Sequence, residues 1–191
     1  MAEGRRQAVM RRVVQAAADC IEEYGIQKTT IRAIAARAGM NSAAINYYFS
    51  SKDELVRLAL ERALEDAFDI SGLQSGERDT PAQVLEKLFA HWLIRVRGHP
   101  GIIRAYFYGP FVHQDYGDPA IKRLRDLMEE VEKLMVKRGM PRSRDNTMKV
   151  RWAFCAFLNN ILLPGLFGDD IVSNEETGRR FVKLHHSLFP G

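Results

Sequence analysis

The chain has 191 residues, of which 46% are hydrophobic and 27% charged. That length holds one large domain or two small ones sharing a core, and the composition excludes fibrous, low-complexity and disordered chains. The formal charge of +4 is unevenly placed: residues 1–52 carry eight basic side chains against four acidic ones, whereas residues 53–191 carry twenty of each. A basic excess confined to the first quarter of a chain suits a polyanionic partner, because neutralising phosphates releases condensed counterions.

Helix signals recur from end to end, and period-two alternation is absent. The first predicted helix covers about Arg5 to Tyr24, with Val13, Ala17 and Ile21 on one stripe, and Gly25 ends it. Thr29 or Thr30 caps a short second helix carrying Ile31, Ile34, Ala35 and Ala38, which Gly39 breaks. Asn41 caps a third helix from Ser42 to about Phe49. Ser51 and Glu54 have the spacing of a capping box and open a long fourth helix. A polar loop, Gln74 to Asp79, is the one plausible linker. Thr80, Pro81 and Gln83 repeat the start signal for a fifth helix that stops at Gly98. An aromatic sixth segment spans Ile102 to Phe111. A seventh helix runs from Pro119 to Arg138 and an eighth from about Arg144 to Leu163. Ser173 and Glu176 predict a capping box for a last helix ending near Leu188. The expected fold is all-α, with nine helices and no internal repeat.

Other chemistries lack their residues. Cys20 and Cys155 sit far apart in apolar helical patterns, which suits reduced, buried thiols. The five histidines have no metal-ligand spacing, and no nucleophile elbow, phosphate-cradling glycine loop or carboxylate pair appears, so neither a metal, a cofactor nor an enzyme is expected. The N-terminus lacks the apolar core of a secretory signal, and no apolar run is long enough to span a membrane. The expectation is a soluble cytoplasmic protein.

Residues 30–49 carry the informative constellation. Two short helices joined by a glycine-containing turn make a helix-turn-helix. Ala35 is small enough for close crossing, Gly39 allows the turn, and Ile34, Met40 and Ile45 fill the space between. A third helix of about eight residues is roughly 12 Å long, which suits a B-DNA major groove of about that width. Its outward side chains are Ser42, Ala43, Asn46 and Tyr47.

The stretch from Arg12 to Ala59 resembles the N-terminal domain of the TetR (tetracycline repressor) family. VVQAAADCIEEYG is similar to its first helix, TTIRAIAARAGM to its second, and NSAAINYYFSSKDEL to its recognition helix and the start of the fourth. The resemblance implies that Thr29, Thr30, Tyr48 and Lys52 hold phosphates, helped by backbone N–H groups at the start of the fourth helix. It places Arg32, Ser42, Ala43, Ala44, Asn46 and Tyr47 at the bases, with Arg32 suited to guanine and Asn46 to adenine. Two positions depart from the family's common pattern: Asn46 stands where Tyr is usual, and Ala43 where Gly or Pro is frequent. Arg5, Arg6, Arg11 and Arg12 either extend the phosphate contact or form a plain basic tail.

The implied organisation is a helix-turn-helix domain over residues 1–52 and an effector-binding and dimerisation domain over 53–191. The implied activity is transcriptional repression, relieved when a small, largely apolar effector moves the fourth helix as a lever. Trp92, Tyr106, Phe107, Phe111, His113, Trp152 and Asn159 are the effector candidates, although aromatics at helical spacing more often form core. Asn159 and Asn160 either bond a ligand or fix register between subunits. The resemblance implies a homodimer paired through the last two helices, whose apolar stripes are Phe154, Phe157, Leu158 and Ile161, then Phe181, Leu184 and Leu188. Such a pair would read a pseudo-palindromic operator. The rival reading is a DNA-binding adaptor on the same fold, with a protein partner and no effector.

Overall fold

The computed structural model describes residues 2–114, 117, 119–163, 171 and 174–186. They form α1 (Ala2–Lys28), α2 (Ile31–Ala38), α3 (Ser42–Tyr48), α4 (Lys52–Ala67), α5 (Pro81–Val96), α6 (Pro100–His113), α7 (Pro119–Lys137), α8 (Arg144–Leu162) and α9 (Glu175–His186). Among the described residues there is no strand, so the all-α expectation holds. The chain divides into two compact units, Met1–Asp66 with His99–Tyr108, and Ala67–Gly98 with Gly109–Gly191. The first unit thus takes in α4 and the start of α6, which the sequence reading assigns to the second domain.

In the first unit, α1 is broken where glycine predicts it: Gly25 has φ 76° and ψ 165°, and one further turn follows. Thr29 closes that turn, its hydroxyl donating to the Gly25 carbonyl at 2.8 Å. Helix α1 extends back to Ala2, so the N-terminal arginines stand on helix, with Arg5, Arg6, Arg11 and Arg12 all exposed. The core joins Val13, Ala17 and Ile21 of α1 to Ile34, Ala35 and Ala38 of α2, Ile45 of α3 and Leu55 and Ala59 of α4. Ile102, Ile103 and Phe107 of α6 are buried as well.

The second unit is organised on α5, whose Thr80–Gln83 capping box is fully formed. Its inner face buries Leu85, Leu88, Phe89, Trp92 and Val96. Phe89 stacks on Phe157 with centroids 4.7 Å apart, while Trp92 meets Phe68 and Phe154 edge-on at 5.4 and 5.9 Å. These offset and edge-on arrangements favour opposite ends of the ring quadrupoles. Helix α8 begins on Ser143, which accepts from the Asn146 N–H at 3.1 Å. For α9 the cap is Asn174, accepting from the Thr177 N–H at 3.0 Å. Ser173, expected to cap that helix, lies outside the described residues.

Helix α8 corrects the expected dimer stripe. Phe154, Phe157, Leu158 and Ile161 are at most 7% exposed within the single chain, so they have no surface left for a partner. Phe181 is half-buried with its ring 6.5 Å from Phe157, and the Leu184 side chain and Leu188 lie outside the described residues. The solvent face of α8 is instead Met148, Trp152, Cys155 and Asn159, spaced to lie along one side of a helix. Trp152 is 65% exposed.

Helices α5 and α9 approach closely at Gly178. A Cβ there would lie 2.6 Å from the Ile171 carbonyl oxygen and 2.7 Å from both Arg97 Nη2 and Leu93 Cδ2. The same guanidinium donates to the Ile171 and Asn174 carbonyls. Gly178→Ala should therefore destabilise the protein by about 1–3 kcal/mol through overpacking. Urea unfolding measures this; an unchanged midpoint would show that the crossing gives way freely.

Candidate nucleic-acid interface

The interface is assembled by a series of caps. Thr30 accepts from the Ala33 N–H at 3.1 Å and starts α2. At the other end Gly39 adopts the left-handed conformation (φ 64°, ψ 38°), and the Gly39 and Met40 N–H groups donate back to Ala36 and Ala35. A side chain bearing Cβ is strained in that conformation, so glycine makes the reversal at little cost. Asn41 accepts from the Ala44 N–H at 2.7 Å and starts α3 only two residues later. Ile45 and Phe49 turn inward and are buried.

With that side fixed, the opposite side of α3 faces solvent. Ala43, Asn46 and Tyr47 are exposed, Tyr47 at 78%, and Ser42, Ala44 and Tyr48 are half-buried. The Tyr47 and Tyr48 rings meet edge-on, 5.2 Å apart. None of these side chains carries a fixed charge. Arg32 on α2 is exposed. The Thr30 hydroxyl, though used as a cap acceptor, keeps its own proton to donate. Lys52 at the start of α4 is half-buried, its ammonium 3.5 Å from the Ile26 carbonyl.

Thr29 is a correction. It is 0% exposed and its hydroxyl is spent on the Gly25 carbonyl, so it cannot hold a phosphate. Its role is to close α1. Sequence reasoning gave Arg37 no role, yet it joins α2 to α1 through an ion pair with Glu23 and lies 5.8 Å over the Tyr24 ring. Hydrogen bonds from Tyr24 and then Arg37 hold the Glu23 carboxyl below its ordinary value.

The start of α4 is a modified capping box. The Ser51 hydroxyl accepts from the Glu54 N–H at 3.0 Å, while the Glu54 carboxylate takes both the hydroxyl and the N–H of Ser50, at 2.6 and 2.7 Å. This leaves the backbone N–H groups of the first turn beside Lys52.

The expected effector residues fall in both units. Tyr106 and Phe107 belong to the first unit; Trp92, Trp152 and Asn159 belong to the second. Trp152 and Asn159 stand on the outer face of α8, which excludes them from an enclosed cavity within the single chain. The side chains of Phe111 and His113 lie outside the described residues. Two open grooves, about 580 Å³ between α1 and α4 and about 690 Å³ between α7 and α8, contain none of these candidates.

Residues 13–59 match the family model of the bacterial regulatory proteins, tetR family. That segment is a TetR-type N-terminal region. The chain's first part is 37% identical over 59 residues to the HTH-type transcriptional regulator BetI 1 of Chromohalobacter salexigens, covering 31% of this chain and 29% of that regulator. It is also 42% identical over 81 residues to the HTH-type transcriptional dual regulator CecR of Shigella flexneri, covering 42% of this chain and 32% of that one. The aligned regions thus span about a third or less of these curated relatives. A crystal structure of a TetR-family transcriptional regulator from Streptomyces coelicolor shares the fold, with TM-score 0.67 and 15% identity over 94% of this chain and 78% of that one. Both curated relatives are HTH-type transcriptional regulators.

The Glu54 cap gives this TetR domain a pH dependence. Its carboxyl is held below the ordinary glutamate value of 4.5, first by the Ser50 hydroxyl and then by the Ser50 N–H. A lowered folded-state value means a stabilisation that is complete above 4.5 and lost as the pH falls through the folded value. Protection of the Ser50 amide over its intrinsic exchange rate should therefore fall below pH 4.5 in the native chain and vary little with pH in Glu54→Gln, whose amide oxygen accepts the same bond without titrating. A protection that falls alike with pH in both proteins would show that the Glu54 carboxylate contributes nothing.

Proposed function

We propose that the chain is a sequence-specific DNA-binding repressor that acts as a homodimer and is released from its operator by a small, largely apolar effector. The single observation that carries the DNA reading is the outer face of α3, exposed, uncharged and fixed by caps at both ends, in a chain whose whole net charge lies in residues 1–52. Uncharged short side chains approach base edges closely, whereas flanking cations and hydroxyls hold the backbone. Arg32, Asn46 and Tyr47 read bases; Thr30, Tyr48 and Lys52 grip phosphates, joined by the first N–H groups of α4. The functional division at residues 52 and 53 separates this reader from the effector-binding part.

Two observations support the rest. The Trp92 indole N–H is buried without an acceptor, and such a donor costs about 1–3 kcal/mol unless something accepts from it. An apolar effector with one acceptor oxygen would satisfy it. The exposed side of α8, with Met148 and Trp152, is an apolar surface that a second copy would cover. This face takes over the role that the sequence gave to Phe154 and its neighbours. It also suits the adaptor reading, in which a different protein covers it, and the oligomeric state separates the two.

Duplexes selected by the chain from a random-sequence library provide the test. Arg32→Ala should weaken binding by about 1–3 kcal/mol, and Asn46→Ala should relax preference at one position of the site. Lys52→Ala should weaken all sequences alike and lower the salt slope by about one. Fluorescence anisotropy across a salt series measures each effect. Enrichment of no sequence, with equal affinity for every duplex, would end the regulator reading.

For assembly, Trp152→Glu should give a monomer with unchanged helicity in sedimentation analysis. Phe154→Ala should leave the dimer intact and cost about 3–5 kcal/mol of stability, because it opens a cavity in the core. A Trp152→Glu protein that stays dimeric would remove α8's outer face from the interface.

A further inference from the structure

The last turn of α1 before Gly25 holds two other helices at once. Glu22 accepts from the Gly101 N–H at 3.0 Å on one carboxylate oxygen and from the Ile102 N–H at 2.8 Å on the other. These N–H groups belong to the first turn of α6, which has no intrahelical partner for them. A carboxylate there is favoured twice, by charge-assisted hydrogen bonds and by the positive end of the helix dipole. The neighbouring residue, Glu23, pairs with Arg37 of α2. Adjacent carboxylates on one turn thus grip α6 and the first helix of the helix-turn-helix.

Gly101 shows that the contact is built in. A Cβ at this position would lie 2.8 and 3.0 Å from the two Glu22 oxygens and 3.1 Å from the carboxylate carbon. The backbone of Gly101 is not in the left-handed region, so conformation does not demand glycine here. Glycine inside a helix costs up to about 1 kcal/mol relative to alanine. Close approach of the carboxylate accounts for it.

We propose that Glu22 is the positioning residue that couples α6 to the DNA-reading helices, passing displacement of α6 through the end of α1, the Glu23–Arg37 pair and α2. The inference rests on the regulator reading and adds to it the element through which DNA and effector sense each other. Linkage requires that if α6 biases DNA binding, DNA must bias α6 by the same factor. The device can therefore be tested with DNA alone.

The experiment is amide hydrogen exchange on the full chain, with and without the duplex enriched from a random-sequence library. In the native protein the duplex should slow exchange at residues 101 and 102 by at least about fivefold, the lower end of ordinary coupling. In Glu22→Gln, the duplex should still protect α3 but leave α6 unchanged. Gly101→Ala, which displaces the carboxylate by contact, should behave like Glu22→Gln, and circular dichroism checks that both variants fold. The inference is overturned if α3 is protected in the native protein while residues 101 and 102 are not. It is also overturned if the duplex changes α6 equally in Glu22→Gln, which would make Glu22 a cap with no part in coupling. If no duplex is enriched and α3 gains no protection, the regulator reading falls and this inference with it.

Discussion

A helix of seven residues cannot hold itself together in water, because nucleation costs more than so few backbone bonds return. Helix α3 exists because its surroundings supply what its length cannot. Asn41 satisfies a first-turn donor, the Phe49 N–H closes the last turn onto Ile45, and Ile45 is driven into the core. Everything upstream serves to deliver Asn41 to the right place. The Gly39 reversal fixes where α3 begins, and the Thr30 cap fixes where α2 begins. Each cap contributes about 1 kcal/mol in general, so the geometry of the α3 surface depends on several small local terms acting in sequence.

That arrangement also explains why the face of α3 can stay free of charge. A short helix on an ordinary surface would gain solubility and stability from ion pairs along its exposed side. Here the charges are placed on the flanks, at Arg32 and Lys52, and Arg37 is occupied in holding α2 against α1. Stability is obtained from caps and burial, so the outer residues are left to make contacts of another kind. Thr29 belongs with the supports: once its hydroxyl has closed the turn after Gly25, only Thr30 of that pair points a hydroxyl outward.

The parts of this structure that were legible in the sequence are those set by neighbouring residues. Gly25, Gly39, Asn41, the Ser51–Glu54 pair and the Thr80–Gln83 box all act within a few residues, and each appears where spacing placed it. Helix α8 was misread for a physical reason. Its sequence carries apolar residues on more than one side, and periodicity cannot tell which side its own chain will cover. Phe154 and Phe157 meet Trp92 and Phe89 inside the protomer and Ile161 is buried, leaving the side with Trp152 outward. The Asn159 amide, expected to bond a ligand or fix register between subunits, is on that outer side.

Glu22 lay beyond any local rule. Its partners are 79 and 80 residues away, and nothing in the neighbouring sequence points from Gly101 to a carboxylate. The hint was present in negative form: a glycine with no turn to make needs some other reason to be there. When a helix start lacks a capping side chain of its own, its N–H groups remain available, and a carboxylate from a distant helix can take them. A bond of this kind differs from apolar packing in one respect that matters for regulation. Packed side chains slide by fractions of an ångström with gradual loss, whereas a hydrogen bond weakens steeply as its angle and distance degrade. Two such bonds on one carboxylate make a joint that is either closed or broken, and a joint with two distinct conditions is what a coupled equilibrium requires.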